Sequence, residues 1–108
     1  VSDLADAHIE TLHNLRQHQQ NLILNCGYGH GTTVRQMIDK VIEVAGTRFK
    51  VASEGRRPGD PAELFADTNM IRNSLNWTPK YDDLDVLVKT AFDWERRYKS
   101  HPELAREA

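Results

Sequence analysis

Arg56, Arg57, Pro58, Gly59 and Asp60 stand in one run, which brings together two guanidiniums, a rigid turn and a carboxylate. The planar fork of arginine suits bidentate contact with phosphate oxygens. Pro-Gly is a turn signal, and a carboxylate three residues after Arg57 can accept hydrogen bonds from sugar hydroxyls. The combination suggests a grip on a nucleoside diphosphate. A solvated loop with two ordinary arginines is the competing reading, because charged side chains are mostly exposed in any protein.

Other residue groups offer weaker chemistry. Gly27, Gly29 and Gly31 alternate between an apolar run and a helix, the context of a dinucleotide fingerprint. They lack the third glycine that packs helix on strand, and no acidic residue ends a second strand downstream. A tight loop with some ligand-facing backbone is the expectation. His8, His13 and His18 are spaced by five and wind around the first helix, so they read as surface histidines and not as a metal pair. His30 lies in the glycine loop, within reach of a ligand, but without an obvious carboxylate or cysteine partner. Asp3 and Asp6 suit the positive end of the first helix, and Asp82, Asp83 and Asp85 that of the last. Cys26 follows Leu22, Ile23 and Leu24 and is expected to be a small core residue rather than a nucleophile. Trp77, Tyr81, Phe92 and Trp94 are expected in the core and between helices.

The elements that must position these groups follow from hydrophobic spacing. Leu4, His8, Thr11, Leu12 and Leu15 share one face of a helix over residues 3–17, with Ser2 or Asp3 as its cap. Residues 22–25 read as a short buried strand. Thr33 and Gln36 match a capping box, and Val34, Met37, Ile38, Val41, Ile42 and Ala45 form a helical stripe that Gly46 stops. Residues 48–53 alternate weakly, as an edge-like strand does. A third helix over residues 67–75 ends before Trp77-Thr78-Pro79. A last helix over residues 83–99 turns Leu84, Leu87, Val88, Ala91 and Phe92 inward, and a polar, frayed tail follows from His101. The predicted class is α/β or α+β, with helices dominant and two or three short strands.

Composition narrows the function classes. The chain has 108 residues, 14 basic against 16 acidic, and a formal net charge of −2. It lacks the basic stripe of a nucleic-acid module and any apolar run long enough to span a membrane. One cysteine excludes an internal disulfide and fits a reducing compartment. At this length one domain is expected, over residues 1–100, with residues 101–108 as a polar tail. The chain begins at Val1 with no signal-peptide pattern and opens directly on a helix cap, as a segment of something longer would.

Taken in order, Val1 to His8, Asn25-Cys26-Gly27 with Gly29 and Gly31, Thr33-Val34, Arg56 to Asp60, Ala66-Asp67 and Leu75-Asn76-Trp77 resemble one family. The chain looks like the C-terminal part of a UDP-glucose 4-epimerase, an extended short-chain dehydrogenase/reductase. The resemblance covers Val1 to about Arg97. The Arg-Arg-Pro-Gly-Asp turn followed by Ala66-Asp67 is its strongest discriminator.

The resemblance implies that the chain is the small UDP-sugar-binding lobe. The Rossmann domain that binds NAD and carries the catalytic Tyr-Lys pair would lie outside these residues. Carried over by position, Arg57 would clamp the diphosphate, Asp60 would bind the uridine ribose, and Val34 would pack on the uracil. The helical stripe by itself places Val34 in the core. Leu64 stands where many members have a tyrosine near the sugar, which leaves room for a bulkier hexose such as an N-acetyl derivative. A cytoplasmic, homodimeric parent enzyme is implied, with this segment inactive alone. The rival readings are another nucleotide-sugar enzyme (a 4,6-dehydratase, a UDP-glucuronate epimerase or decarboxylase) and a stand-alone nucleotide-binding or interaction module.

Overall fold

Helix α1 runs over Ser2–His18, one residue beyond each end of the stretch that leucine spacing predicts. Its cap position falls on Val1, and neither Ser2 nor Asp3 supplies a side-chain cap. Gln19 closes it in the left-handed region, with its amide bonded to the Leu15 carbonyl. The computed structural model describes residues 1–105. Helices α2 (Val34–Ala45), α3 (Asn69–Ser74) and α4 (Leu84–Ser100) follow, then a short 3₁₀ helix at Pro102–Ala105. The last three positions of the expected polar tail lie outside the described residues.

The described residues contain no strand, which corrects the α/β expectation to an all-helical one. Residues 22–25 and 48–53 carry no regular structure. A strand exists only where a neighbour completes its hydrogen-bond ladder, and these segments find none among the described residues. Their side chains behave accordingly: Ile23, Phe49 and Val51 are exposed.

The chain divides into two units. The first comprises residues 1–31 and 56–82 and contains α1 and α3. Its core is Ala7, Ile71, Leu75 and Trp77, with Leu24 packed against them. The face of α1 that is buried is therefore not the leucine face. Asp3 and Ala7 are buried, with Asn14 half-buried on the same side, while Leu4, Leu12 and Leu15 stay exposed. Polar bonds accompany this orientation. The Trp77 indole N–H donates to the Asp3 carbonyl at 3.0 Å, and Asn14 Nδ2 donates to the Ser74 carbonyl at 3.2 Å. These bonds lie on the side of α1 where its small and polar residues meet the following chain. Helix α3 starts two residues later than expected: Asp67 lies outside it, and its carboxylate accepts from the Asn69 amide at 3.0 Å.

The second unit comprises residues 32–55 and the chain from Asp83 onward, where α2 packs on α4. The capping box forms: the Gln36 amide donates to Thr33 Oγ1 at 3.1 Å and the Thr33 amide to Gln36 Oε1 at 2.9 Å. Gly46 takes φ 67°, and its amide bonds to the Ile42 and Glu43 carbonyls, ending α2 where predicted. Asp83 caps α4 by accepting from the Asp85 amide at 2.8 Å. Val88 is buried, with Ile38, Val41, Ile42, Leu84, Leu87 and Phe92 half-buried beside it. Trp94, expected inside, is exposed and lies tilted against Tyr98.

Candidate functional site: a clasped arginine turn

Arg57, Pro58, Gly59 and Asp60 form a β-turn. The Asp60 amide donates to the Arg57 carbonyl at 3.3 Å, and Gly59 has φ 86°. Proline before a glycine of positive φ is the signature of a type II turn. The turn is clasped a second time by side chains: Arg57 Nε donates to Asp60 Oδ2 at 3.0 Å. Both groups remain open to solvent, the arginine side chain 85% exposed and the aspartate 52%. Leu64, further along the same unit, is 83% exposed. The structure thus joins Arg57 to Asp60 directly.

Val34 belongs to the second unit, at the start of α2. It is 77% exposed, which corrects the expectation that the stripe buries it. The first residue of an amphipathic helix lies at the end of its apolar seam, where few neighbours exist to cover it.

The glycine loop serves the chain's own packing. A Cβ on Gly27 would lie 3.1 Å from the Ala66 Cβ, and one on Gly29 only 2.7 Å from Thr68 Oγ1. Gly29 also has φ 80°, where other residues are strained. The close approach that glycines permit is thus already taken by residues 66–68.

Next to that loop lies a polar cluster that sequence spacing does not reveal. His30 Nε2–H donates to both oxygens of Asp82, at 2.7 and 2.8 Å, so this histidine does have a carboxylate partner. Its ring stacks on Tyr28, with centroids 6.3 Å apart. The Tyr28 hydroxyl donates to Asp3 Oδ2 at 3.0 Å, and the Lys80 and Tyr81 amides donate to the same carboxylate at 2.8 and 3.0 Å. Asp3 is therefore a buried acceptor and not merely a helix-dipole partner. Burial pushes its pKa up, but the two amides and the tyrosine hydroxyl outweigh that and leave it lowered. Tyr28 is pushed up to about 12, first by burial and then by its bond to Asp3. The partners are distant in sequence, so only the pairing of Asp3 with the chain around residue 80 would have exposed the cluster.

Cys26 is exposed, contrary to the expectation of a core residue. Desolvation by neighbouring atoms and the Asp3 charge push its thiol pKa up, which favours the protonated form near neutrality. His8, His13 and His18 are exposed along α1. Among the described residues no group of three or more His, Cys, Asp or Glu is placed to hold a metal, and no helix is long and apolar enough to cross a membrane.

Comparison with known proteins decides the ancestry. Over 96 residues the chain is 47% identical to a UDP-glucose 4-epimerase of Azospirillum brasilense, covering 89% of this chain and 28% of that protein. This chain is homologous to the UDP-glucose 4-epimerases. A probable UDP-arabinose 4-epimerase of Oryza sativa subsp. japonica is 38% identical over 102 residues, 94% of this chain and 24% of that protein. Among solved structures, the UDP-Glc/GlcNAc 4-epimerase of Campylobacter jejuni superposes with a TM-score of 0.82 at 43% identity, over 88% of this chain and 29% of that one. The chain thus spans under a third of the length of the epimerases it matches. No protein-family model matches it.

Proposed function

We propose that this chain is the nucleotide-holding part of a UDP-sugar 4-epimerase, with the redox chemistry performed by residues outside it. Arg57 meets the diphosphate, Asp60 the ribose, Val34 the uracil, and Leu64 borders the sugar. The observation that carries the reading is Arg57 itself. A type II turn presents its guanidinium to solvent in a chain homologous to UDP-sugar epimerases. NAD is the cofactor that family membership implies for the parent protein, held by residues outside this chain. The contribution of this part is binding energy, spent on holding the nucleotide so that the distant reacting carbon is correctly placed. The sugar is a hexose or its N-acetyl derivative, in keeping with the short, open side chain of Leu64.

The test is UDP titration calorimetry on the full-length protein carrying this segment. Lysine cannot reproduce the arginine fork, so Arg57→Lys is expected to weaken UDP binding by about 1.5–3 kcal/mol. Arg56→Lys is expected to cost no more than about 0.5 kcal/mol. Equal, small losses for both variants would return the turn to a plain surface loop.

A further inference from the structure

We infer that Asp60 is a positioning residue that aims the Arg57 guanidinium at phosphate. The inference rests on the reading of Arg57 as a diphosphate clamp and deepens it. The same two residues are tied twice, by main chain at 3.3 Å and by side chain at 3.0 Å. The main-chain bond fixes where the arginine stem starts, and the side-chain bond fixes which way its plane faces.

What Asp60 engages is informative. A guanidinium has five N–H donors, one on Nε and four on its two terminal nitrogens. Asp60 takes the Nε donor alone. The outer edge, formed by the two terminal nitrogens, is left as a free bidentate fork, and the side chain stays 85% exposed despite its partner. A carboxylate gripping the outer edge would take the donors a diphosphate needs; one gripping Nε leaves those donors free. A long arginine otherwise samples many rotamers, and immobilising it on binding costs affinity. The Asp60 bond removes part of that freedom before the ligand arrives. Asp60 Oδ2 is the atom engaged, so Oδ1 remains available to a hydroxyl.

Two ligands separate this role from contact with the ribose: UDP, and inorganic pyrophosphate, which has phosphates but no sugar. On the full-length protein carrying this segment, Asp60→Ala is expected to weaken pyrophosphate binding about two- to five-fold, the range of an exposed ion pair. UDP binding falls at least as much. Once Arg57→Lys is present, Asp60→Ala is expected to cause no further loss of pyrophosphate affinity. Asp60→Asn, which keeps an acceptor oxygen, restores part of the affinity. In the ligand-free, ¹⁵N-arginine-labelled protein, the Nε–H of Arg57 exchanges with solvent more slowly than in Asp60→Ala. Unchanged pyrophosphate binding in Asp60→Ala, with Arg57→Lys still impaired, would overturn the inference and leave the clamp intact. Equal Nε–H exchange in the two proteins would overturn it as well. Arg57→Lys without effect on either ligand would remove the clamp, and the positioning role with it.

Discussion

The Tyr28 hydroxyl donates to the Asp3 carboxylate at 3.0 Å, and that carboxylate is buried at the start of a helix. Asp3 also receives the amides of Lys80 and Tyr81. One side chain therefore gathers α1, the glycine loop and the segment leading to α4. Asp3→Ala would leave two amides and a hydroxyl without their acceptor. Hydrogen bonds to a charged group are worth about 1.5–3 kcal/mol, and a loss of that order is expected in urea unfolding. A loss no larger than that of a surface substitution would mean that water replaces the carboxylate.

Asp3 also sets an acid limit. Its folded pKa lies below the ordinary value of 3.8, because the hydrogen bonds outweigh burial. A group bound more weakly to protons in the folded state stabilises the fold when ionised. Its contribution is complete above about pH 4 and disappears as pH falls through the lowered folded value. Unfolding measured between neutral and strongly acid pH should therefore show a loss that Asp3→Asn flattens. An identical acid limb in both proteins would contradict this.

The alkaline side carries the opposite sign. Tyr28 is raised to about 12 from 10.0 by burial and by Asp3. A raised folded value gives stability that is present below the unfolded value and lost as pH climbs through the folded one. Spectrophotometric titration of tyrosinate should show a late step at about 12. Tyr28→Phe should remove that late step. A titration unchanged by Tyr28→Phe at that pH would sink the assignment.

The rotation of α1 can be tested by truncating one leucine on each side of the question. Leu75 is buried in the first unit's core, whereas Leu12 is 48% exposed. Leu75→Ala should cost about 2–5 kcal/mol, the range for a buried leucine. Leu12→Ala should cost less than about 1 kcal/mol in this chain, since little apolar surface is recovered from water. The reverse order in urea unfolding would restore the leucine face as the buried one.

Gly29→Ala tests the close approach of the two loop segments. The new methyl would enter at φ 80° and meet Thr68 Oγ1 at 2.7 Å. Thr68 is itself buried, and its hydroxyl accepts from Arg72 Nε at 3.3 Å, so it has little room to retreat. Backbone strain of this kind costs of order 1–3 kcal/mol. Gly46→Ala supplies the control, since it shares positive φ but meets nothing within 4 Å. Equal costs at both sites would show that the contact with Thr68 is irrelevant.

Local chemistry was legible in the residues themselves. The Thr33–Gln36 capping box, the Gly46 stop, the Pro58-Gly59 turn and the end of α3 before Pro79 involve groups at most a few positions apart. Their geometry is set by backbone sterics and short-range hydrogen bonds, which neighbours in sequence suffice to determine. The homology to UDP-glucose 4-epimerases was legible too, because it rests on the order and spacing of such local motifs.

Tertiary structure decided what depends on partners far along the chain. Asp3 looked like a dipole partner, and only its meeting with residues 77 elements of sequence apart at Lys80 made it a buried hub. His30 lacked a visible partner until Asp82 arrived across 52 positions. The apolar runs at 22–25 and 48–53 carry strand-like patterns, but a strand is a property of a pair, and no pairing neighbour stands among the described residues. The leucines of α1 illustrate the same limit. Periodicity shows that a face is apolar, but what covers it is decided by the surfaces available, and here the side of α1 that carries Asp3 and Ala7 meets Trp77.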